Sequence, residues 1–262
     1  MQLVTQKMFS LQAKVNYLKK IKIGAVNYLN TKPLIYGLQH SAIFNEIELQ
    51  QGFPAKIAHL LLNDEIDIGL VPIAILPSLK YFEIITDYCI GATQSVASVC
   101  LFSDVPIEKI KVVLLDYQSK TSVALCKILF KHYWKKQVVF KEADEHFTDT
   151  IKGSKAAVVI GDRAFEQRNV HAYIYDLASE WIAFTGLPFV FATWVANKKI
   201  EHDFLMKFNE ANSLGLQHFD DVIATISNPL YNMHTYFNKN ISYIFDENKK
   251  EGLKKFLNYL IP

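Results

Sequence analysis

Arginine is scarce in this chain. Only two of the 262 residues are arginines, Arg163 and Arg168, and the formal net charge at pH 7 is +2. The lysines stand alone or in short pairs such as Lys135-Lys136. A duplex-binding surface needs lysine and arginine concentrated on one face. We therefore expect no nucleic-acid partner.

Cysteine, metal-ligand and phosphate-loop motifs are also missing. The three widely spaced cysteines match neither a disulfide framework nor a zinc site. We expect them to be reduced and buried, as in a cytoplasmic protein. The eight histidines show no spacing typical of metal ligands, so we predict no metal site. The glycines near the N-terminus are isolated, so we expect no nucleotide cofactor. We predict that the protein needs no cofactor of any kind.

Long apolar runs are absent too. No stretch approaches the roughly 20 apolar residues of a membrane span, so we expect no membrane association. A secretory signal has an apolar core of about 7–15 residues, and Lys7, Gln12 and Lys14 interrupt such a run here. We interpret residues 1–20 as an N-terminal extension and predict a cytoplasmic location.

What the chain does contain is a regular alternation of short apolar segments with segments of helical apolar spacing. Half of its residues are hydrophobic and 21% are charged, as in globular proteins. The predicted strands cover residues 21–26, 47–52, 67–72, 96–102, 111–115, 138–143, 156–162, 174–177 and 189–196. Helices are predicted from Pro33, over 54–62 and 122–134, and through most of the chain after Asn197. This alternation predicts an α/β protein with parallel sheets.

Polar residues follow several predicted strands. Ser119, Thr121 and Ser122 follow a strand and open a helix, where free backbone N–H groups can hold an anion or the serine can simply cap the helix. Asn30 lies in the loop after the first strand, where ligands bind in open α/β folds, although asparagine is also common in turns. Asp162 either meets a ligand or caps a helix, and Asp116 is a candidate for orienting the Ser119–Ser122 loop.

Five collinear segments resemble the menaquinone-biosynthesis chorismate dehydratase family. They are IGAVNYLNTKPLIYGL (23–38), DIGLVPIAIL (67–76), SVCLFSDVPIEKI with VVLLDYQSKTSVAL (98–125), VVIGDRAF (158–165) and YDLASEWIAFTGLPFVFATWVA (175–196). One departure is Lys120, which stands where arginine is common in that family. Lysine keeps the charge but lacks the planar fork of arginine.

The resemblance implies a two-lobed, type II periplasmic-binding-protein-like fold with a hinge and a cleft. We expect one lobe to comprise residues 21–93 and 194–262 and the other to comprise residues 94–193. The resemblance also implies that the protein is an enzyme, a hydro-lyase that converts the small molecule chorismate to 3-[(1-carboxyvinyl)oxy]benzoate in the futalosine pathway. Asn30 and Ser98 are then the expected catalytic residues.

The same resemblance favours substrate binding by further residues. The expected set is Tyr28, Ser119, Thr121, Ser122 and Asp162, with Trp194 as another candidate for lining the cleft. Two alternatives stay open: a non-enzymatic solute-binding protein of the same fold, and the naphthoate-forming enzyme of the same pathway. Whether the protein is a monomer or a homodimer is also open.

Overall fold

The computed structural model describes residues 20–144, 146–227 and 229–260. The predicted N-terminal extension therefore lies outside the described residues, apart from Lys20. The strands are β1 (Ile21–Val26), β2 (Ile47–Gly52), β3 (Ile68–Pro72), β4 (Glu83–Ala92), β5 (Val99–Ser103), β6 (Val112–Leu115), β7 (Val139–Glu142), β8 (Lys155–Ile160), β9 (Tyr173–Asp176), β10 (Phe189–Ala196) and β11 (Ser242–Ile244). The helices are α1 (Lys32–Gln39), α2 (Pro54–Leu62), α3 (Lys120–Ile128), α4 (Arg163–Gln167), α5 (Leu177–Thr185), α6 (His202–Gln217), α7 (Phe219–Ala224), α8 (Met233–Thr235) and α9 (Glu247–Leu260).

The strands form two separate sheets. The six-stranded sheet has the order β11-β4-β10-β3-β1-β2, and the five-stranded sheet has the order β7-β6-β8-β5-β9. The chain passes from the first sheet to the second between β4 and β5, and it returns between α5 and β10. The fold class is therefore mixed α/β with two sheets, as predicted.

Neither sheet is wholly parallel, which corrects the expectation of parallel sheets. β1 pairs in parallel with β2 and β3, but β10 runs antiparallel to both β3 and β4. In the second sheet β6 pairs in parallel with β7 and β8, whereas β5 runs antiparallel to β8 and β9. β5 and β10 are the strands that enter each sheet from the other one, and their direction follows from that crossing.

Several element boundaries agree with the apolar pattern and others do not. β1, β2, α2 and β10 have the predicted bounds. β5 begins at Val99 rather than Val96, because the backbone at Ala97 has φ +64° and cannot continue a strand. The predicted helix 122–134 begins at Lys120 and changes to π-helical geometry at Leu129.

Buried apolar side chains from both sheets form the core. All three cysteines are free and buried, as expected. Trp194 is fully buried, and its Nε1 donates to Asn212 Oδ1 at 2.9 Å. The expectation that Trp194 lines a cleft is therefore wrong, since its ring packs against Phe208 in the core. No helix among residues 20–144, 146–227 and 229–260 has the length and apolar character needed to cross a lipid bilayer.

Candidate functional site

A small, partly open cavity of about 50 Å³ lies between the two sheets. One wall follows strands of the six-stranded sheet, and the other follows strands of the five-stranded sheet. The lining residues are Val26, Tyr28, Asn30, Pro54, Pro72, Ile90, Val96, Ser98, Val99, Ser119, Ser122, Ile160, Gly161, Phe191 and Ala192. The cavity is mostly apolar, with a few hydrogen-bonding side chains directed into it, as is typical of small-molecule sites.

Asn30 is held in the short 3-10 turn Leu29–Thr31 that follows β1. Its backbone carbonyl accepts a hydrogen bond from the Tyr243 hydroxyl at 2.9 Å. Its side-chain Oδ1 accepts from Thr31 Oγ1 at 3.3 Å. The amide nitrogen of Asn30 carries two N–H donors, and these are the groups that can donate to a ligand in the cavity.

Ser98 lies at the crossing from β4 to β5 and is fully buried. The residue before it, Ala97, adopts the left-handed conformation, which is uncommon for a non-glycine residue. The Asp176 carboxylate holds this segment by accepting from Val96 N at 3.1 Å and Ala97 N at 2.7 Å. Arg168 Nη1 donates to the Ala97 carbonyl at 3.0 Å. These contacts fix the backbone that presents Ser98.

Ser119 is the N-cap of α3 and lies with Ser122 on the opposite wall. Ser119 Oγ accepts from Ser122 N at 3.2 Å and donates to Ser122 Oγ at 2.9 Å. The buried Asp116 carboxylate steadies the preceding loop by accepting from Gln118 N at 3.0 Å. Asp116 also pairs with Arg163 Nη2 at 2.6 Å. The first turn of α3 therefore presents hydroxyls and backbone N–H groups on a rigid support.

Tyr28 connects the two walls. Its hydroxyl donates to Gln118 Oε1 at 2.6 Å. Its ring lies against Gly161, where an added Cβ would stand 2.9 Å from Tyr28 Cε1. Leu29 N, beside it, donates to Asp162 Oδ1 at 3.4 Å. Residues 28–29 of the first wall thus contact residues 118 and 161–162 of the second wall.

The cavity lining is almost free of ionisable groups. Tyr28 is the only one of its residues that can titrate, and burial raises the pKa of its phenol, so it stays neutral. Partial burial also raises the pKa of Asp162, although this residue retains contact with solvent. Among the described residues no cluster of histidine, cysteine, aspartate or glutamate has the geometry of a metal site. The arrangement can bind and orient a ligand by hydrogen bonds, but it presents no strong base.

The structure brings together most of the residues singled out from the sequence. Those that line the cavity are Tyr28, Asn30, Ser98, Ser119 and Ser122. Thr121 is buried but its Oγ1 accepts from Ala74 N at 3.1 Å, and it does not line the cavity. Asp162 lies outside the lining and caps no backbone N–H of α4.

Two neighbours of the cavity were not identified from the sequence as functional candidates. Tyr236 contacts Ser98, and Gly161 supports the Tyr28 ring. Tyr236 is one of 13 tyrosines and stands in the helical C-terminal part, where no local pattern marks it. Gly161 does lie in the V-I-G-D segment, one of the five that carry the family resemblance, and this could have marked it as a candidate.

Comparison with known proteins identifies the family of this chain. The model of a protein family described as menaquinone biosynthesis matches residues 21–261. The chain belongs to the menaquinone biosynthesis family. The chain is also similar to the chorismate dehydratase of Thermus thermophilus, with 26% identity over 259 residues that cover 89% of this chain and 93% of that protein. The chorismate dehydratase of Campylobacter jejuni is 26% identical over 243 residues, covering 89% and 95% of the two chains.

The fold of this menaquinone biosynthesis family member also occurs among binding proteins. A Candida albicans protein described as having the generic periplasmic binding protein fold superposes with a TM-score of 0.67 at 13% identity. The superposition covers 93% of this chain and 90% of that one. At this identity the likeness shows the fold alone, which is the predicted two-lobed, periplasmic-binding-protein-like α/β fold.

Proposed function

We propose that this protein dehydrates chorismate to 3-[(1-carboxyvinyl)oxy]benzoate, an early step of menaquinone biosynthesis by the futalosine pathway in the cytoplasm. The observation that carries the proposal is that Asn30 and Ser98, far apart in the chain, line one cavity in a member of the menaquinone biosynthesis family. The two similar chorismate dehydratases support the choice of substrate.

The chemistry suits a cavity without a strong base. A ring C–O bond and a ring C–H bond break, water leaves, and the ring becomes aromatic, which supplies a large driving force. We propose that the enolpyruvyl carboxylate of the substrate takes the ring proton while Asn30 and Ser98 hold the departing hydroxyl. Positioning of reacting groups can lower a barrier by about 7–11 kcal/mol in favourable cases. The site then acts mainly by orientation and by excluding water.

The first turn of α3 is the best holder for a substrate carboxylate. Ser119 and Ser122 lie at the positive end of a helix of nine residues, where backbone N–H groups attract anions. Lys120 is exposed at the same helix end and adds positive charge near it. Thr121 and Asp162 act in this proposal as supports of the walls.

Substrate entry requires the two lobes to move apart. The cavity of about 50 Å³ is far smaller than the roughly 300–1,000 Å³ of most ligand pockets. We propose residues 21–93 with 194–262 as one lobe and 94–193 as the other. The contacts of Tyr28 with Gln118 and Gly161 would then break on opening and reform on closure.

The test is turnover of chorismate by the purified protein and by the variants N30A and S98A. We expect wild-type turnover and a loss of roughly 100-fold or more in kcat for each variant, as for removal of other transition-state hydrogen-bond donors. The variant S78A, at an exposed serine, is the matched control and should keep full activity.

Two results would overturn the proposal. Unchanged chorismate would remove the dehydratase function, and chorismate bound without conversion would favour a solute-binding protein. Full turnover in both N30A and S98A would show that the reaction occurs without the proposed catalytic residues.

A further inference from the structure

Tyr236 lies directly behind the cavity wall and contacts Ser98. It is fully buried where α8 changes to π-helical geometry, 138 residues away from Ser98 in the chain. The Tyr236 hydroxyl donates to Ser98 Oγ at 2.8 Å. The Phe165 ring meets the Tyr236 ring edge-on at a centroid distance of 5.1 Å and holds it in place.

This contact determines what the Ser98 hydroxyl can do. With Tyr236 donating to its oxygen, Ser98 must direct its own proton elsewhere. Its acceptor within the described residues is the Val96 carbonyl at 3.5 Å, which is the outer limit of a hydrogen bond. The Ser98 proton is therefore available to a ligand oxygen in the cavity, which Ser98 lines.

Tyr236 also stays protonated. Burial raises the pKa of its phenol, and a hydrogen bond with Asn30 offsets this only in part. A phenol with a raised pKa stays in its neutral form, so it remains a hydrogen-bond donor at every working pH. Its contacts with both proposed catalytic residues make it a support for them rather than a reacting group.

We infer that Tyr236 is a positioning residue that holds the Ser98 hydroxyl as a hydrogen-bond donor to the departing hydroxyl of the substrate. The inference rests on the proposed function, because it assigns Ser98 a task in the same dehydration. A hydrogen bond from the Tyr236 hydroxyl to Ser98 Oγ polarises the Ser98 hydroxyl. The pair should therefore also bind developing negative charge on the substrate better than Ser98 alone.

The test measures kcat, KM and thermal unfolding of Y236F. Removing one hydrogen bond is expected to lower kcat roughly tenfold, with little change in KM and by the same factor at each pH. Y231F is the matched control, because Tyr231 stacks on the same Phe165 ring at 4.8 Å. It should keep its kcat. 4-Aminophenylalanine at position 236, which restores a donor, should recover most of the activity.

A double-mutant cycle separates positioning from a structural role. In the S98A background, Y236F should cause no further loss of kcat, because the hydroxyl that it positions is gone. If Y236F does not fold, 4-fluorophenylalanine at position 236 keeps the ring shape without a donor and replaces it in the cycle.

The outcomes are distinguishable. No chorismate turnover by the wild-type protein overturns the proposed function and the role of Tyr236 with it. Wild-type turnover together with full kcat in Y236F, or an equal loss of kcat in the presence and absence of Ser98, overturns the positioning role alone.

Discussion

Gly161 and Gly153 share a left-handed backbone conformation but have different surroundings. Their φ angles are +65° and +59°. An added Cβ at Gly161 would stand 2.9 Å from Tyr28 Cε1 and 3.0 Å from its Cδ1, whereas a Cβ at Gly153 would meet nothing within 4 Å. Comparing an alanine substitution at each glycine therefore distinguishes the effect of backbone strain from the effect of the contact with Tyr28, which connects the two cavity walls.

The expected loss of stability in each variant follows from the backbone strain and, for Gly161, from the crowding against Tyr28. An L-residue in the left-handed region costs about 1–2 kcal/mol, so G153A should lose about this much stability. G161A should lose the same amount plus about 1–3 kcal/mol for overpacking against the Tyr28 ring. At about 2–4 °C per kcal/mol, G161A should melt clearly below G153A in a thermal unfolding experiment followed by circular dichroism.

Activity provides the sharper comparison. Displacement of the Tyr28 ring weakens its hydrogen bond to Gln118 and the closure of the walls, so G161A should raise KM for chorismate and lower kcat. G153A should keep wild-type kinetics. If the two variants melt at the same temperature and turn chorismate over equally, Tyr28 and Gly161 do not connect the walls as we describe.

Three further predictions concern Asp176, Cys89 and Asp162. D176N removes one of the two anionic oxygens that hold Val96 and Ala97. It should lower the free energy of unfolding in urea by about 1–3 kcal/mol and lower kcat through Ser98; unaltered kcat would contradict this link. Burial raises the pKa of Cys89 to about 12, so the native protein should not react with a thiol reagent at pH 8, and fast labelling before unfolding would contradict its burial. Burial raises the pKa of Asp162 above its ordinary 3.8, so its ionisation should cost folding stability as the pH rises from 3.8 through the raised value. D162N should lose this pH dependence, as urea midpoints across that range will test.

The sequence predicted the elements that have strong local patterns. β10 is a continuous apolar run with its predicted bounds, and α2 has clear helical spacing after Pro54. β4 (Glu83–Ala92) was missed, because Asp87 and Gly91 interrupt its apolar pattern. The antiparallel direction of β5 and β10 depends on where the chain crosses between sheets, which no local pattern encodes.

The site shows the same division between local and long-range information. Resemblance identified Asn30 and Ser98, and the structure places both on one cavity. The role of Asp162 depends on Leu29, 133 residues away, so spacing could not distinguish a helix cap from a contact between walls. Tyr236 was missed for the same reason, since its partner Ser98 lies 138 residues away in the chain.

The most direct measurement of the central claim is proton NMR of chorismate incubated with the purified protein. The account predicts that the diene and ring-hydroxyl methine signals disappear while the aromatic signals of a 3-substituted benzoate appear, with the enolpyruvyl vinyl protons retained. It predicts that the S98A protein produces these signals far more slowly. A spectrum of chorismate that stays unchanged over hours with the wild-type protein would contradict the account.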